Sequence, residues 1–141
     1  MSEWKTYKLI DVAERIGDGL HGTPEYDENG EYYFINGSNL INGKIVVSSN
    51  TKRVNETEYL KHKKALSENT ILLGINGTIG NVALYQNEQC ILGKSVAYIN
   101  VKSDFDKQFI RYVLTNEHFQ RFIKTNASGT TIKNVGLGLL R

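Results

Sequence analysis

The stretch LLGINGTIGNVAL, residues 72–84, constrains the fold more than any other part of the chain. It places Gly74, Gly77 and Gly80 at three-residue intervals between two short apolar runs. A dinucleotide-binding loop needs G-x-G-x-x-G at the start of a helix, whereas the residues after Gly80 alternate in polarity as a strand does. We therefore predict that these glycines turn the chain between two strands. Glycine also allows a backbone to come close to a polyanion.

A second glycine motif, Gly93-Lys94-Ser95, matches the end of a P-loop. A P-loop requires a further glycine at position 88 and a helix after the serine. Position 88 is Glu88, and the segment after Ser95 has the composition of a strand. The sequence therefore contains no nucleotide-binding loop, and we expect no cofactor.

Short segments rich in β-branched and aromatic residues, bounded by Gly and Asn, predict a set of strands. These strands are residues 31–35, 44–47, 70–75, 81–85 and 95–101. Residues 9–16 predict a short amphipathic helix or a turn, and residues 55–64 predict a second short helix with Asn55 as its N-cap. The dipeptides Asn36-Gly37 and Asn42-Gly43 predict tight turns with positive φ.

The pattern changes to a helical one between Ser103 and Thr125. Its apolar spacing slips at Thr115-Asn116, so we predict two consecutive helices, with Ser103 or Asp104 capping the first and Asn116 the second. Ala127-Ser128-Gly129 should end the pair. The predicted fold class is α+β, with a curved, mainly antiparallel sheet followed by a C-terminal helical pair.

A length of 141 residues suits a single domain, and no apolar run approaches the roughly 18 residues of a membrane span. We expect a cytoplasmic protein. Cys90 is the only cysteine and the three histidines are far apart, so no metal site is expected. We expect Cys90 to be a buried apolar side chain. The acidic pairs Asp27-Glu28 and Asp104-x-Asp106 fall in turn or cap positions, which argues against a catalytic role.

The net charge of +2 conceals an asymmetry. Residues 1–50 hold four Lys/Arg against eight Asp/Glu, and residues 51–141 hold 13 against seven. A basic second half is suited to phosphates, because Lys and Arg supply most of the sequence-independent affinity for nucleic acid. A solvated surface of mixed charge would have the same composition.

The order of motifs along the chain is more specific than any one of them. The motifs are Trp4, GLHGTPEY (19–26), INGSNL (35–40), GKI (43–45), Tyr59-Leu60, ILL (71–73), GTIG (77–80), GKSVA (93–97) and SGTTIKNV (128–135). In this order, over nearly the whole chain, they resemble one target recognition domain of the specificity subunit of type I restriction–modification systems. The resemblance implies a non-catalytic domain that reads one half of a split, asymmetric site on double-stranded DNA.

The resemblance also implies partners. In the family, two such domains are joined by long conserved helices, and the subunit docks methyltransferase subunits and, through them, restriction subunits. S-adenosylmethionine and ATP belong to those subunits. This sequence stops at Arg141, where the long helix and the second domain are expected to follow.

Polar loop residues beside lysines are the expected DNA contacts, since amides and hydroxyls bond base edges while cations hold phosphates. The expected residues are His21, Thr23, Tyr26, Asn36, Ser38, Asn39, Asn76, Thr78, Lys94 and Ser95. A weaker group comprises Lys61, Lys63 and Lys64 at a helix end, and Thr130, Thr131 and Lys133 after the helical pair. Asparagine favours adenine when both ends of its amide are used.

Each of these groups also has a purely structural interpretation: a rigid surface turn, an Asn-Gly turn or a solvated lysine face. One alternative function is a protein-interaction module that forms a homodimer or docks methyltransferase. A small hydrolase is a third alternative, but the sequence provides no nucleophile–base pair for it.

Overall fold

The structure is a computed structural model that describes residues 4–126 and 136–140. Eleven strands and four α-helices occur in these ranges. The strands are β1 (Trp4–Lys8), β2 (Ala13–Asp18), β3 (Tyr32–Ile35), β4 (Leu40–Ile41), β5 (Lys44–Ile45), β6 (Arg53–Val54), β7 (Thr70–Gly74), β8 (Val82–Leu84), β9 (Cys90–Leu92), β10 (Val96–Val101) and β11 (Gly136–Leu140). The helices are α1 (Leu9–Val12), α2 (Glu56–His62), α3 (Lys107–Thr115) and α4 (Glu117–Asn126). A short 3₁₀ helix spans Gly37–Asn39.

Two sheets form the centre of the molecule. The larger is antiparallel with the order β2-β10-β7-β8, and the smaller has the order β6-β3-β9. Within the smaller sheet β3 and β9 are parallel, with Ile35 opposite Leu92. Two antiparallel ribbons, β1-β11 and β4-β5, complete the set. The fold is therefore α+β and mainly antiparallel, as predicted.

Alternating side chains on the strands separate the core into three layers. Ile71, Leu73 and Ile99 face a first layer, which the helices α3 and α4 cover. Leu72 and Tyr98 face a second layer shared with Ile35, Leu92 and other residues of the smaller sheet. The outer face of that sheet contributes Phe34, Val54 and Ile91 to a third layer, where Tyr59 of α2 stacks on Tyr32 with ring centroids 4.1 Å apart.

The helical pair has the predicted break at Asn116, whose Oδ1 accepts a hydrogen bond from Phe119 N at 3.0 Å. Helix α2 also begins as predicted, because Asn55 Oδ1 accepts from Glu58 N. The predicted cap of α3 at Ser103 or Asp104 was wrong: Asp106 caps it through Gln108 N. The predicted end of the pair at residues 127–129 lies outside the described residues.

Two other local predictions were wrong. Residues 9–16 do not form one helix, because β2 begins at Ala13 and pairs with β10, and this pairing overrides the local helical spacing. Asn36-Gly37 is not a positive-φ turn; Asn36 is extended and leads into the 3₁₀ helix. Asn42-Gly43 does adopt positive φ, at 52° and 84°, between β4 and β5.

Candidate nucleic-acid interface

Four polar loops meet at one end of the two sheets because their strands are paired there. Asp18 at the end of β2 lies opposite Ala97 of β10, and Val96 lies opposite Gly74 at the end of β7. The parallel pair brings the ends of β3 and β9 together in the same way. The loops that follow β2, β3, β7 and β9 therefore form one cluster, which we call the loop cluster: residues 19–26, 36–39, 75–81 and 93–95.

Ser95 joins two of these loops. Its Oγ accepts a hydrogen bond from Gly37 N at 2.8 Å and donates to Asn36 Oδ1 at 3.1 Å. Gly93 lies against the same oxygen, so closely that a Cβ at position 93 would overlap Asn36 Oδ1. The side-chain oxygen of Asn36 is therefore held inward by the loop after β9.

The β7–β8 turn packs on the same loop. Gly77 and Gly80 have φ of 77° and 97°, which explains the need for glycine, and the chain returns at once into β8. The glycines therefore turn the chain between strands, as the sequence predicts. Thr78 Oγ1 lies against Gly37, while Asn76 and Thr78 are exposed. Gln120 of α4 donates to Gly80 O at 2.8 Å and so links the turn to the helical pair.

The loop after β2 is fixed at its start and near its end. Gly19 N and Leu20 N donate to Val96 O and Leu92 O, and Glu25 N donates to the buried Glu58 Oε2 of α2. Between these anchors, the loop lines a cavity of about 240 Å³. The polar residues lining it are His21, Thr23, Asn36 and Lys94. His21 Nε2 lies 2.7 Å from Asp18 Oδ2.

Tyr26 lies beside a segment, residues 48–53, that was not among the DNA contacts expected from the sequence. A second cavity, of about 320 Å³, lies between Tyr26, Asn36, Ser38 and the segment 48–52. Lys52 Nζ lies 5.5 Å from the centroid of the Tyr26 ring. The signal in the sequence was SSNTKR (48–53), a run of six polar residues that begins after β5 and two valines. We call this segment the 48–53 loop.

Asn39 holds the 48–53 loop rather than facing solvent. Its Oδ1 accepts from Asn36 N at 3.0 Å, and its Nδ2 donates to Val46 O at 3.0 Å and to Thr51 Oγ1 of the 48–53 loop at 3.4 Å. Both ends of the amide are therefore engaged within the protein. Ser38, next to it, is exposed.

The predicted lysine group does not join the loop cluster. Asn100, at the far end of β10 from Ser95, donates to Ala65 O directly after Lys63 and Lys64. A strand rises about 3.4 Å per residue, so this end lies about 17 Å away along β10. Lys61, Lys63 and Lys64 are all exposed, and they form a separate basic surface with α2. Thr130, Thr131 and Lys133 lie outside the described residues.

The only cysteine of the chain, Cys90, is buried in the core. Cys90 is 3 % exposed, and burial raises the pKa of its thiol to about 12. A neutral, buried thiol is a poor nucleophile, so Cys90 is a core side chain, as predicted. Among residues 4–126 and 136–140, no group of His, Cys, Asp and Glu is arranged to hold a metal ion, and no helix has the length and apolarity to cross a membrane.

These features define a class of domain in which a cluster of polar loops is held by hydrogen bonds at one end of two sheets. The chain belongs to the type I restriction modification DNA specificity domain family, whose model matches residues 1–141. Specificity subunits of this family are not catalytic in themselves. No curated protein matches the chain.

Solved structures with the same fold come from specificity subunits. The HsdS subunit of Thermoanaerobacter tengcongensis superposes with a TM-score of 0.72 at 13 % identity, over 96 % of this chain and 33 % of that one. The S subunit of a type I system from M. genitalium gives 0.63 at 17 % identity, over 98 % and 34 %. A structure of a type I R-M system, described for its complex assembly and conformational transition, gives 0.64 at 15 % identity, over 96 % and 34 %. This chain thus spans about a third of the proteins it superposes on.

Proposed function

We propose that this chain recognises a specific sequence in double-stranded DNA and reads one half of a bipartite target for a type I restriction–modification complex. The observation that carries the proposal is the loop cluster, in which four loops distant in sequence present exposed amides, hydroxyls and a lysine at one end of a hydrogen-bonded scaffold. Base edges are read by such groups, and a rigid support keeps them in register with the base pairs.

In this proposal, residues of the loop cluster contact base edges, and lysines of the loop cluster and of the 48–53 loop contact phosphates. Asn36, Asn76 and Thr78 carry the groups that suit base edges, and Ser38, His21 and Thr23 flank them. Lys94 and Lys52 supply cations for phosphates on either side. Tyr26 lies close to Lys52, with its ring centroid 6.1 Å from that of Phe34. Asn39 and Ser95 act by holding the loops in place.

The partners follow from the family. We propose that a methyltransferase subunit docks on the specificity subunit of which this domain forms a part, that a restriction subunit joins through it, and that the complex acts in the cytoplasm. The domain itself needs no cofactor in this scheme, since methyl transfer and ATP use belong to the other subunits.

One observation favours the second candidate, a protein-interaction module. Helix α3 exposes Tyr112 to 67 % and Phe109 to 40 %, and large exposed aromatic side chains are typical of interaction surfaces. These residues lie on the helical pair and not on the loop cluster, so a protein contact there is compatible with DNA binding by the loops.

The direct test is enrichment of the chain's targets from a random duplex pool at roughly 50 mM salt, followed by sequencing. We expect a short asymmetric motif and, for a single domain, affinity closer to the non-specific range of about 10⁻⁴–10⁻⁶ M than to that of a full specific complex. Sedimentation on the same sample reports the oligomeric state. A folded chain that retains no duplex at this salt, or a salt-independent homodimer without DNA affinity, would contradict the proposal and favour the interaction module.

A further inference from the structure

Two side chains that line the cavity between the loop after β2 and the loop after β9, Asn36 and Lys94, carry hydrogen-bond donors. The oxygen of the Asn36 amide, Oδ1, is engaged within the protein. Ser95 Oγ accepts from Gly37 N and donates its single proton to Asn36 Oδ1, and Gly93 packs against the same atom. The two contacts fix which end of the amide faces inward.

The other end of the amide reaches the surface. No residue in the described part of the chain accepts a hydrogen bond from Asn36 Nδ2, and no buried side-chain nitrogen or oxygen in that part lacks a partner. Asn36 Nδ2 is therefore solvent-accessible, with two hydrogens to donate. Asn36 lines the 240 Å³ cavity together with Lys94, an exposed ammonium group that can only donate.

His21 also lines the cavity, and its Nε2 lies 2.7 Å from Asp18 Oδ2, to which it donates. In the neutral ring the other nitrogen, Nδ1, is an acceptor, and Thr23 can donate or accept through its hydroxyl. The two groups with fixed polarity, Asn36 Nδ2 and Lys94 Nζ, are both donors.

We infer that the Asn36–Lys94 cavity reads guanine from the major groove, an inference that rests on the proposed DNA-recognition function. Guanine presents two acceptors there, N7 and O6, whereas adenine and thymine each present one beside a donor or a methyl group, and cytosine presents a donor. Asn36 Oδ1 accepts from Ser95 and is crowded by Gly93, so it is held away from the adenine N6 amino group. The bidentate adenine contact that an asparagine in this loop would suggest is therefore disfavoured by its neighbours.

The first test replaces atoms of the DNA and leaves the protein unchanged. In a duplex carrying the enriched motif, one guanine is replaced by 7-deazaguanine, which lacks the N7 acceptor, and in a matched duplex by inosine, which keeps N7 and O6. We expect about tenfold weaker binding with 7-deazaguanine and nearly unchanged binding with inosine. A motif without guanine, or equal effects of the two replacements at every guanine, would overturn the inference while leaving DNA recognition intact.

The second test reverses the polarity of the amide. Asn36→Asp places an acceptor where Nδ2 donates and keeps the oxygen that Ser95 holds, so selection at the guanine position should move to cytosine, whose N4 amino group donates. Asn87→Asp is the control: it makes the same charge change in the β8–β9 connection, at the other end of β9, and should lower affinity slightly without altering the motif. An Asn36→Asp motif that still carries guanine at full preference overturns the inference. Loss of all duplex binding by the unmodified chain would instead refute the proposed function, and this inference with it.

Discussion

The larger sheet carries a hydroxyl–asparagine pair at each end, and the two pairs are built alike. At the loop cluster, Ser95 Oγ accepts from Gly37 N and donates to Asn36 Oδ1. At the opposite end, Thr70 Oγ1 accepts from Ser67 N at 2.9 Å and donates to Asn100 Oδ1 at 2.6 Å. In both, a backbone amide orients the hydroxyl, and the hydroxyl orients the amide side chain.

The pairs differ in what the asparagine does with its nitrogen. Asn100 Nδ2 donates to Ala65 O at 2.8 Å, and Thr70 is fully buried, so every polar group of that pair is satisfied within the protein. In the pair at the loop cluster, the nitrogen of Asn36 is left for an external acceptor. The same local chemistry thus leaves no free donor in the Thr70–Asn100 pair, which we call the closed pair, and leaves a free donor in the Ser95–Asn36 pair.

The largest effect is expected from filling the space beside Asn36. Gly93→Ala forces a Cβ onto Asn36 Oδ1 and close to Phe34, and we expect it to lower the free energy of unfolding by about 3 kcal/mol and to abolish motif enrichment. Urea unfolding and duplex enrichment measure the two effects. Gly22→Ala is the matched control for stability, because no atom lies within 4 Å of a Cβ there. If both variants unfolded at the same urea concentration, Gly93 would not be packed tightly on Asn36.

A somewhat smaller effect is expected at the closed pair. Thr70→Val keeps the shape and removes the hydroxyl, which leaves Ser67 N and Asn100 Oδ1 without a partner, at a cost of about 2 kcal/mol in the free energy of unfolding. The enriched motif should stay the same. Thr57→Val, on the exposed face of α2, should change stability by less than about 0.5 kcal/mol. A changed motif in the Thr70 variant would mean that the two ends are not independent.

Ser95→Ala should change the base preference of the domain while lowering its stability only slightly. Ser95 is half-buried, so the loss of its two hydrogen bonds should cost only about 1 kcal/mol. The freed amide of Asn36 could then present either end, so adenine should become acceptable at the guanine position. Thermal unfolding and sequencing of the enriched pool check both points, with the exposed Ser38→Ala as the stability control. An unchanged preference would show that Gly93 alone orients the amide.

The smallest effect is expected from replacing a single lysine, either at the loop cluster or at the opposite end of the larger sheet. Lys94→Gln should reduce the slope of log affinity against log salt by about 0.9, because one phosphate contact is lost, and Lys64→Gln should leave it unchanged. Titrations between roughly 50 and 200 mM salt measure the slope. Equal reductions would place the α2 lysines on the DNA as well, as the sequence alone allows.

Elements with a local signal could be predicted from the sequence. The break between α3 and α4 is visible because the apolar spacing slips at Asn116, and the β7–β8 turn because Gly77 and Gly80 need positive φ. The strand core of the two sheets is visible in its β-branched residues. The contact between Ser95 and Asn36 could not be predicted, because no local pattern relates positions so far apart in the sequence.

Features that depend on contacts between distant segments, or on a choice among neighbouring residues, could not be predicted from the sequence. β2 has the spacing of a helix, and only its pairing with β10 makes it a strand. Asp106 rather than Ser103 or Asp104 caps α3, a difference of two or three residues that the local sequence does not decide. The distinct roles of Asn36 and Asn39 depend on partners at Ser95 and Val46, so the two asparagines look equivalent in the sequence.

The parallel pairing of β3 with β9 has a consequence for the order of folding. The hydrogen bonds from Ser95 to the Asn36–Gly37 segment join residues 58 and 59 positions apart, whereas the helical pair forms from neighbouring turns. Closing so long a loop costs entropy before any contact offsets it, so contacts of this kind tend to form late. We expect a refolding chain to regain helical circular dichroism before it regains affinity for DNA, because the binding surface depends on contacts between distant segments and the helices do not.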